Sequence, residues 1–155
     1  MELLVDTLDV QNLPRTDKEK LVYALGEKSR RHFGDYCQYM DKAYQIPKHI
    51  RYLISKLEDI ERGDIKRLMV SMPPRHGKTE TTSKKFPSWY LGKHPDDNII
   101  MASYAFTLVR GLSKDARDII EDRKYKIVFN ISTADDSRQV KDWDISGHRG
   151  GLLAQ

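Results

Sequence analysis

Residues 67–79 read RLMVSMPPRHGKT, and their reading decides the fold. Leu68 to Met72 is a short apolar run bounded by a turn signal, which predicts a buried strand. Pro73 and Pro74 have no N–H to give and close any ladder there. After Thr79 the sequence Glu80-Thr-Thr-Ser-Lys-Lys85 predicts a helix. Strand, tight loop with Gly77-Lys78-Thr79, and helix together make a P-loop. Amides at a helix N-terminus are unpaired and carry partial positive charge, so they bind phosphate. Gly77 lets the backbone come close and tolerates unusual φ. Lys78 is a mobile point charge for β/γ-phosphates, and the Thr79 hydroxyl is a hard oxygen suited to Mg²⁺. The usual pattern is G-x-x-x-x-G-K-[ST], and Met72 stands at its first glycine.

Outward from the loop, charge is unevenly spread. Residues 62–93 hold eight basic and two acidic side chains, a net +6 in a chain of net +4, so the remainder is slightly negative. Such a concentration suits polyphosphate; a nucleic-acid backbone and a plain solvated basic face are equally open. The 155 residues are one domain's worth of chain, 39% hydrophobic and 32% charged. No apolar run approaches the roughly 18 residues of a membrane span. MELLVDTLDV lacks the basic start of a signal peptide, so the cytoplasm is expected. Cys37 is alone, which excludes an intramolecular disulfide and a cysteine zinc site; it reads as a small buried thiol.

Upstream, residues 1–16 read as an irregular arm closed by Pro14. Asp17 is a plausible N-cap for a helix from Lys18, with Leu21, Leu25 and His32/Phe33 as its stripe and Gly34 as its end. Asp35 to Ala43 is a second short helix. Ile50, Leu53, Ile54, Leu57 and Ile60 give a clean amphipathic helix starting at Pro47 and capped by Gly63. Downstream, Pro87 kinks or restarts the helix. Asn98 to Tyr104 predicts a strand, and Ala105 to Ile120 a long helical stripe. Strand, helix, strand imply a βαβ unit and a parallel sheet. Ile127–Phe129, Val140–Ile145 and Leu152–Ala154 read as further strands, with a glycine-rich turn at 147–151. The expected architecture is α/β, with residues 1–43 a helical arm or subdomain and 44–155 a P-loop domain, which the resemblance described next makes a partial ATPase domain.

RLMVSMPPRHGKTE, followed by FPSWYLGKHPDDNIIMASY, a helix carrying Arg117, and a Trp followed by Gly-Gly, resembles the ATPase domain of phage terminase large subunits, the motors that package viral DNA. The resemblance runs from about Tyr44 to the C-terminus, and its P-loop type lacks the first glycine. It implies an ASCE-type parallel sheet flanked by helices, ATP and Mg²⁺. It places Gly77, Lys78, Thr79 and Glu80 on phosphates and metal, Thr79 being the metal ligand, and Pro74, Arg75 and His76 in the loop backbone. Lys78 and Arg75 are the candidate catalytic residues; Arg75 is either a clamp on developing γ-phosphate charge or an exposed basic residue. Tyr44, Gln45 and His49 fall where related motors recognise adenine; the alternative is packing at a helix start. Ser103-Tyr104 and the next helix fall where the family couples nucleotide to DNA, and Arg117 either reaches DNA or a neighbouring subunit or makes a surface salt bridge.

The family's Walker B run would lie past Gln155, since Asp96-Asp97 and Asp135-Asp136 both read as turn residues. The resemblance therefore implies an N-terminal piece, with a sheet incomplete at its C-terminal side, no nuclease domain and little turnover by itself. The parent activity would be ATP-driven translocation of double-stranded DNA into procapsids in the host cytoplasm. The implied partners are the small terminase subunit, the portal and further copies of the chain. Two other readings stay open: an inactive interaction module for DNA or motor partners, and a helicase- or restriction-type translocase piece.

Overall fold

The computed structural model describes residues 14–134 and 140–155. The expected arm before Pro14 and the acidic pair Asp135-Asp136 lie outside the described residues. Helix α1 spans Arg15–Arg31 and α2 Phe33–Met40. They are separated by His32 in extended conformation, not by Gly34. Gly34 sits within α2, facing Ile54 of helix α3 (Lys48–Glu61) and Ile46 in the turn before it, and a Cβ there would meet only ordinary contacts of 3.8 and 3.6 Å. Asp17 is not the N-cap either; Pro14 holds that position, and Asp17 lies in the first turn, where its charge suits the helix dipole. Helix α3 follows its stripe as expected, burying Ile50, Leu53, Ile54 and Leu57.

Helix continues through a π-helical turn, Glu80–Lys85, into α4, Phe86–Lys93. Pro87 is the second residue of α4, inside a helical run unbroken from Lys78, and is accommodated directly after the wide turn without ending the helix. Strand β1 is Asn98–Met101, helix α5 Phe106–Glu121 and helix α6 Arg123–Phe129. The strand expected at Ile127–Phe129 is therefore the end of a helix. Capping decides it: Asp122 accepts from Lys124 N–H at 2.7 Å, and Asn130 ends the helix in left-handed conformation. Tyr125, Val128 and Phe129 then share one buried face at i, i+3, i+4.

Strands β2 (Asp142–Asp144) and β3 (Gly151–Ala154) complete one sheet of order β1-β3-β2 among the described residues. β1 and β3 are parallel, Ile99 opposite Leu152; β2 and β3 are antiparallel, Trp143 opposite Leu152. Gly150 is required by close approach, since a Cβ there would lie 2.2 Å from Asp97 O. The sheet is thus mixed, not wholly parallel. Nor does Leu68–Met72 belong to it: main-chain groups of residues 66–72 pair with no other main-chain group among the described residues, and Met69 is 95% exposed, although Leu68, Val70 and Met72 pack against the core. An apolar run becomes a strand only where a partner offers a ladder.

The core is aromatic and joins both halves of the chain. Phe33, Tyr36 and Cys37 of α2 meet Trp89, Tyr125 and Phe129. Its polar tips are satisfied: Tyr125 O–H donates to Ser88 O at 2.8 Å and Trp89 Nε1–H to Ser29 O at 3.0 Å. Cys37 is buried, and burial pushes its thiol well up. No helix among the described residues is long and apolar enough to cross a membrane.

Candidate functional site

The loop leaves the extended segment at Pro73 and turns at Pro74 and Arg75. Arg75 has φ 63° and Gly77 φ 82°, two left-handed residues two positions apart. Gly77 meets that requirement at little steric cost and also rests against α3, where a Cβ would approach Ile50 Cδ1 to 3.1 Å. His76 Nδ1–H donates to Pro74 O at 2.8 Å, and its ring meets His49 edge-on at 5.8 Å. The first intrahelical bond runs from Thr81 N–H to Gly77 O at 3.0 Å. The amides of Lys78, Thr79 and Glu80 therefore precede the ladder, on the loop side.

The side chains around these amides are cationic and free. Arg75 is exposed and Lys78 partly so, and neither forms an ion pair among the described residues. Thr79 is exposed at the second helical position. Glu80 is different: its carboxylate is held by Lys84 at 3.1 Å and Lys85 at 3.4 Å. Of the expected phosphate-side residues, Glu80 has only its amide to offer a ligand.

A cleft of about 260 Å³ adjoins the loop and is lined by Tyr44, Gln45, Pro47, His49, Ile50, Arg75, His76 and Gly77. The chain thus brings the three expected base-side residues together with three loop residues. Lys78 and Thr79 follow on the helix, and Pro74 lies exposed at the turn. Gln45 and His49 are exposed, whereas Tyr44 is half-buried. The Tyr44 hydroxyl bonds Thr81 Oγ1, and its ring lies under the Lys85 ammonium at 5.1 Å. Burial pushes the Tyr44 phenol up to about 12, although the Thr81 hydrogen bond works the other way.

Three residues that shape this site escape the motif: Asp41, Thr81 and Lys85. Spacing signals the last two, and no pattern in the sequence marks Asp41. Thr81, Lys85 and Trp89 recur every four residues and are all buried, so Lys85 occupies an interior position on the helix face. A second open cleft, about 590 Å³, lies beyond Pro47 along α3 and is lined by Lys48, Arg51 and Tyr52 among others.

Other expected residues lie elsewhere. The Arg117 side chain is 20% exposed and approaches Asp118 at 3.9 Å on the same helix. Tyr104 is 99% exposed. Asp96 accepts from Arg149 N–H at 3.1 Å, the main reason its carboxyl sits low, and Asp97 N–H bonds His94 O; both are turn residues. No protein-family model, curated protein or solved structure matches the chain.

Proposed function

We propose that the chain binds a nucleoside triphosphate at residues 73–80, as part of an ATP-driven motor of the terminase type. One observation carries this reading: free amides at the start of the helix, two unpaired cations and a cleft lined by Tyr44, Gln45 and His49 meet at a single loop. The loop amides and Lys78 take the phosphates. Arg75 is the second cation for the γ-phosphate side. Tyr44 and Gln45 offer a ring and an amide edge to the base.

The donor set fits Mg²⁺ arriving with the triphosphate. Among the described residues no group of three or more His, Cys, Asp or Glu could hold a metal alone, and Thr79 offers one hydroxyl oxygen. Mg²⁺ commonly takes one or two protein oxygens, with phosphates and waters completing six. The metal would neutralise developing phosphate charge. Hydrolysis also needs a group that orients the attacking water, and none is assigned among the described residues, so phosphate release by this chain should stay near background.

Calorimetry with ATP and Mg²⁺ tests the reading. Lys78→Ala should weaken binding about ten- to hundredfold, the effect of losing charge-assisted hydrogen bonds. Equal affinity of wild type and variant would overturn it. Double-stranded DNA, a small terminase subunit, a portal and further copies of the chain are the partners proposed with this reading. A second reading, an interaction module for nucleic acid, is favoured by exposed Lys66 and Arg67, which form no ion pair among the described residues. DNA affinity that falls steeply with salt, with no ATP binding, would select it.

A further inference from the structure

We infer that Tyr44, Thr81 and Lys85 form a strut tying the base-side wall of the cleft to the phosphate loop, so that nucleoside and phosphates are sensed as one ligand. The inference rests on the reading of residues 73–80 as a phosphate site.

Hydrogen-bond direction gives the strut its sense. Thr81 Oγ1 donates to Gly77 O at 2.8 Å, using its only hydroxyl proton. The Tyr44 hydroxyl must therefore be the donor in its bond to Thr81 Oγ1. The order runs Tyr44 O–H to Thr81, then Thr81 O–H to the Gly77 carbonyl. The same carbonyl accepts Thr81 N–H at 3.0 Å, so one residue occupies it twice. Gly77 is the loop residue with φ 82°, and its amide plane sets where the following N–H groups point. Tyr44 precedes Gln45 in the segment between α2 and α3 and lines the cleft beside it.

Lys85 holds the other end. Its side chain is 6% exposed, uncommon for a lysine. It reaches Glu80 at 3.4 Å, Asp41 at 4.0 Å and the face of Tyr44 at 5.1 Å. Asp41 also accepts Ala43 N–H at 2.9 Å, which fixes the turn leading into Tyr44. One buried cation therefore grips both the turn and the ring, and through Glu80 it also holds the residue after Thr79. Apolar packing alone could be supplied by methionine; the three contacts require charge.

These are positioning residues, and the readout is coupling, not affinity alone. Mg²⁺-ATP and inorganic tripolyphosphate are titrated by calorimetry into the full chain and into Tyr44→Phe, Thr81→Val, Lys85→Met and Lys85→Arg. Wild type should bind ATP more tightly than tripolyphosphate. Tyr44→Phe and Lys85→Met should cut that advantage about five- to tenfold, ATP losing more than tripolyphosphate, the scale of one lost hydrogen bond; Thr81→Val, which also frees the Gly77 carbonyl, should weaken both ligands and ATP the more. Lys85→Arg should restore part of it. An unchanged advantage, or equal weakening of both ligands, would overturn the strut. So would a wild type that binds both ligands equally, although the phosphate loop would then stand. A wild type that binds neither ligand removes the loop reading and the strut together. Tyr44→Phe keeps the ring and decides the matter if Lys85→Met fails to fold.

Discussion

The aromatic core and the approach to the phosphate loop lie a few residues apart in sequence and follow opposite rules. Around Trp89, side chains are wholly buried and each polar tip has a partner. Along residues 66–72 the main chain pairs with no other main-chain group among the described residues; Met69 stands in solvent, and only the alternate side chains Leu68, Val70 and Met72 touch the core. Stability is concentrated in the first region, and the groups that could meet a ligand are concentrated in the second. Binding segments come from the least stable parts of a protein because they must adjust. The helix from Lys78 to Lys93 joins the two, with its free end at the loop and its far end in the core.

The largest effect should come from the core. Trp89→Ala removes a fully buried indole and its bond to Ser29 O, and should cost about 3–5 kcal/mol in denaturant unfolding. A loss under about 1 kcal/mol would mean that the core is not where stability resides.

A smaller effect is expected where α3 meets α4. Glu61 accepts from Lys93 at 2.7 Å and contacts His94 at 2.9 Å. Burial would raise its carboxyl, but these two partners outweigh it and hold it below 4.5. A carboxylate lowered by folding stabilises above its unfolded value, and the contribution is lost as pH falls through the folded value. Glu61→Gln should therefore cost about 1 kcal/mol at pH 7 and nothing near pH 2, with unfolding curves converging below about pH 4.5. Parallel curves at both pH values would show that the ion pairs contribute nothing.

The smallest effect belongs to the loop approach. Met69→Ala should change stability by less than about 0.5 kcal/mol. Amide exchange should sharpen the contrast: residues 68–72 should exchange far faster than Ala154, whose buried N–H donates to Lys141 O at 2.8 Å. Equal protection would mean that 68–72 has a partner after all.

Two apolar runs show how much of this was legible. Asn98–Met101 and Leu68–Met72 have the same composition type, and sequence alone makes both strands. Only the first pairs, because only it lies beside β3. Partnership is a tertiary fact that a local pattern does not contain. Ile127–Phe129 failed for the opposite reason: the helix caps Asp122 and Asn130 were present in the sequence but outweighed by a short apolar run. Helices α3 and α5, long and strongly periodic, were readable almost to their ends. Of the candidate site, the loop was named from its motif and Tyr44, Gln45 and His49 from the resemblance; the structure places these three and Arg75, His76 and Gly77 on one cleft. The interior contacts of Thr81 and Lys85 were not legible, because no motif marks a buried lysine.

The turn Glu80–Lys85 also changes the phase of its own side chains. In an α-helix, residues five apart point about 140° away from each other. Here Phe86 N–H reaches back five residues to Thr81 O, and in this wider coil Lys84 and Lys85 both come round beneath Glu80. Deleting a single residue between 80 and 85 would leave the composition almost untouched. It would let the remaining residues close as an ordinary α-helix, because the wide turn holds about one residue more than an α-turn; the loop and the Trp89 face would keep nearly the same phase. The wide turn serves less to set the phase of the helix than to bring two lysines under one carboxylate.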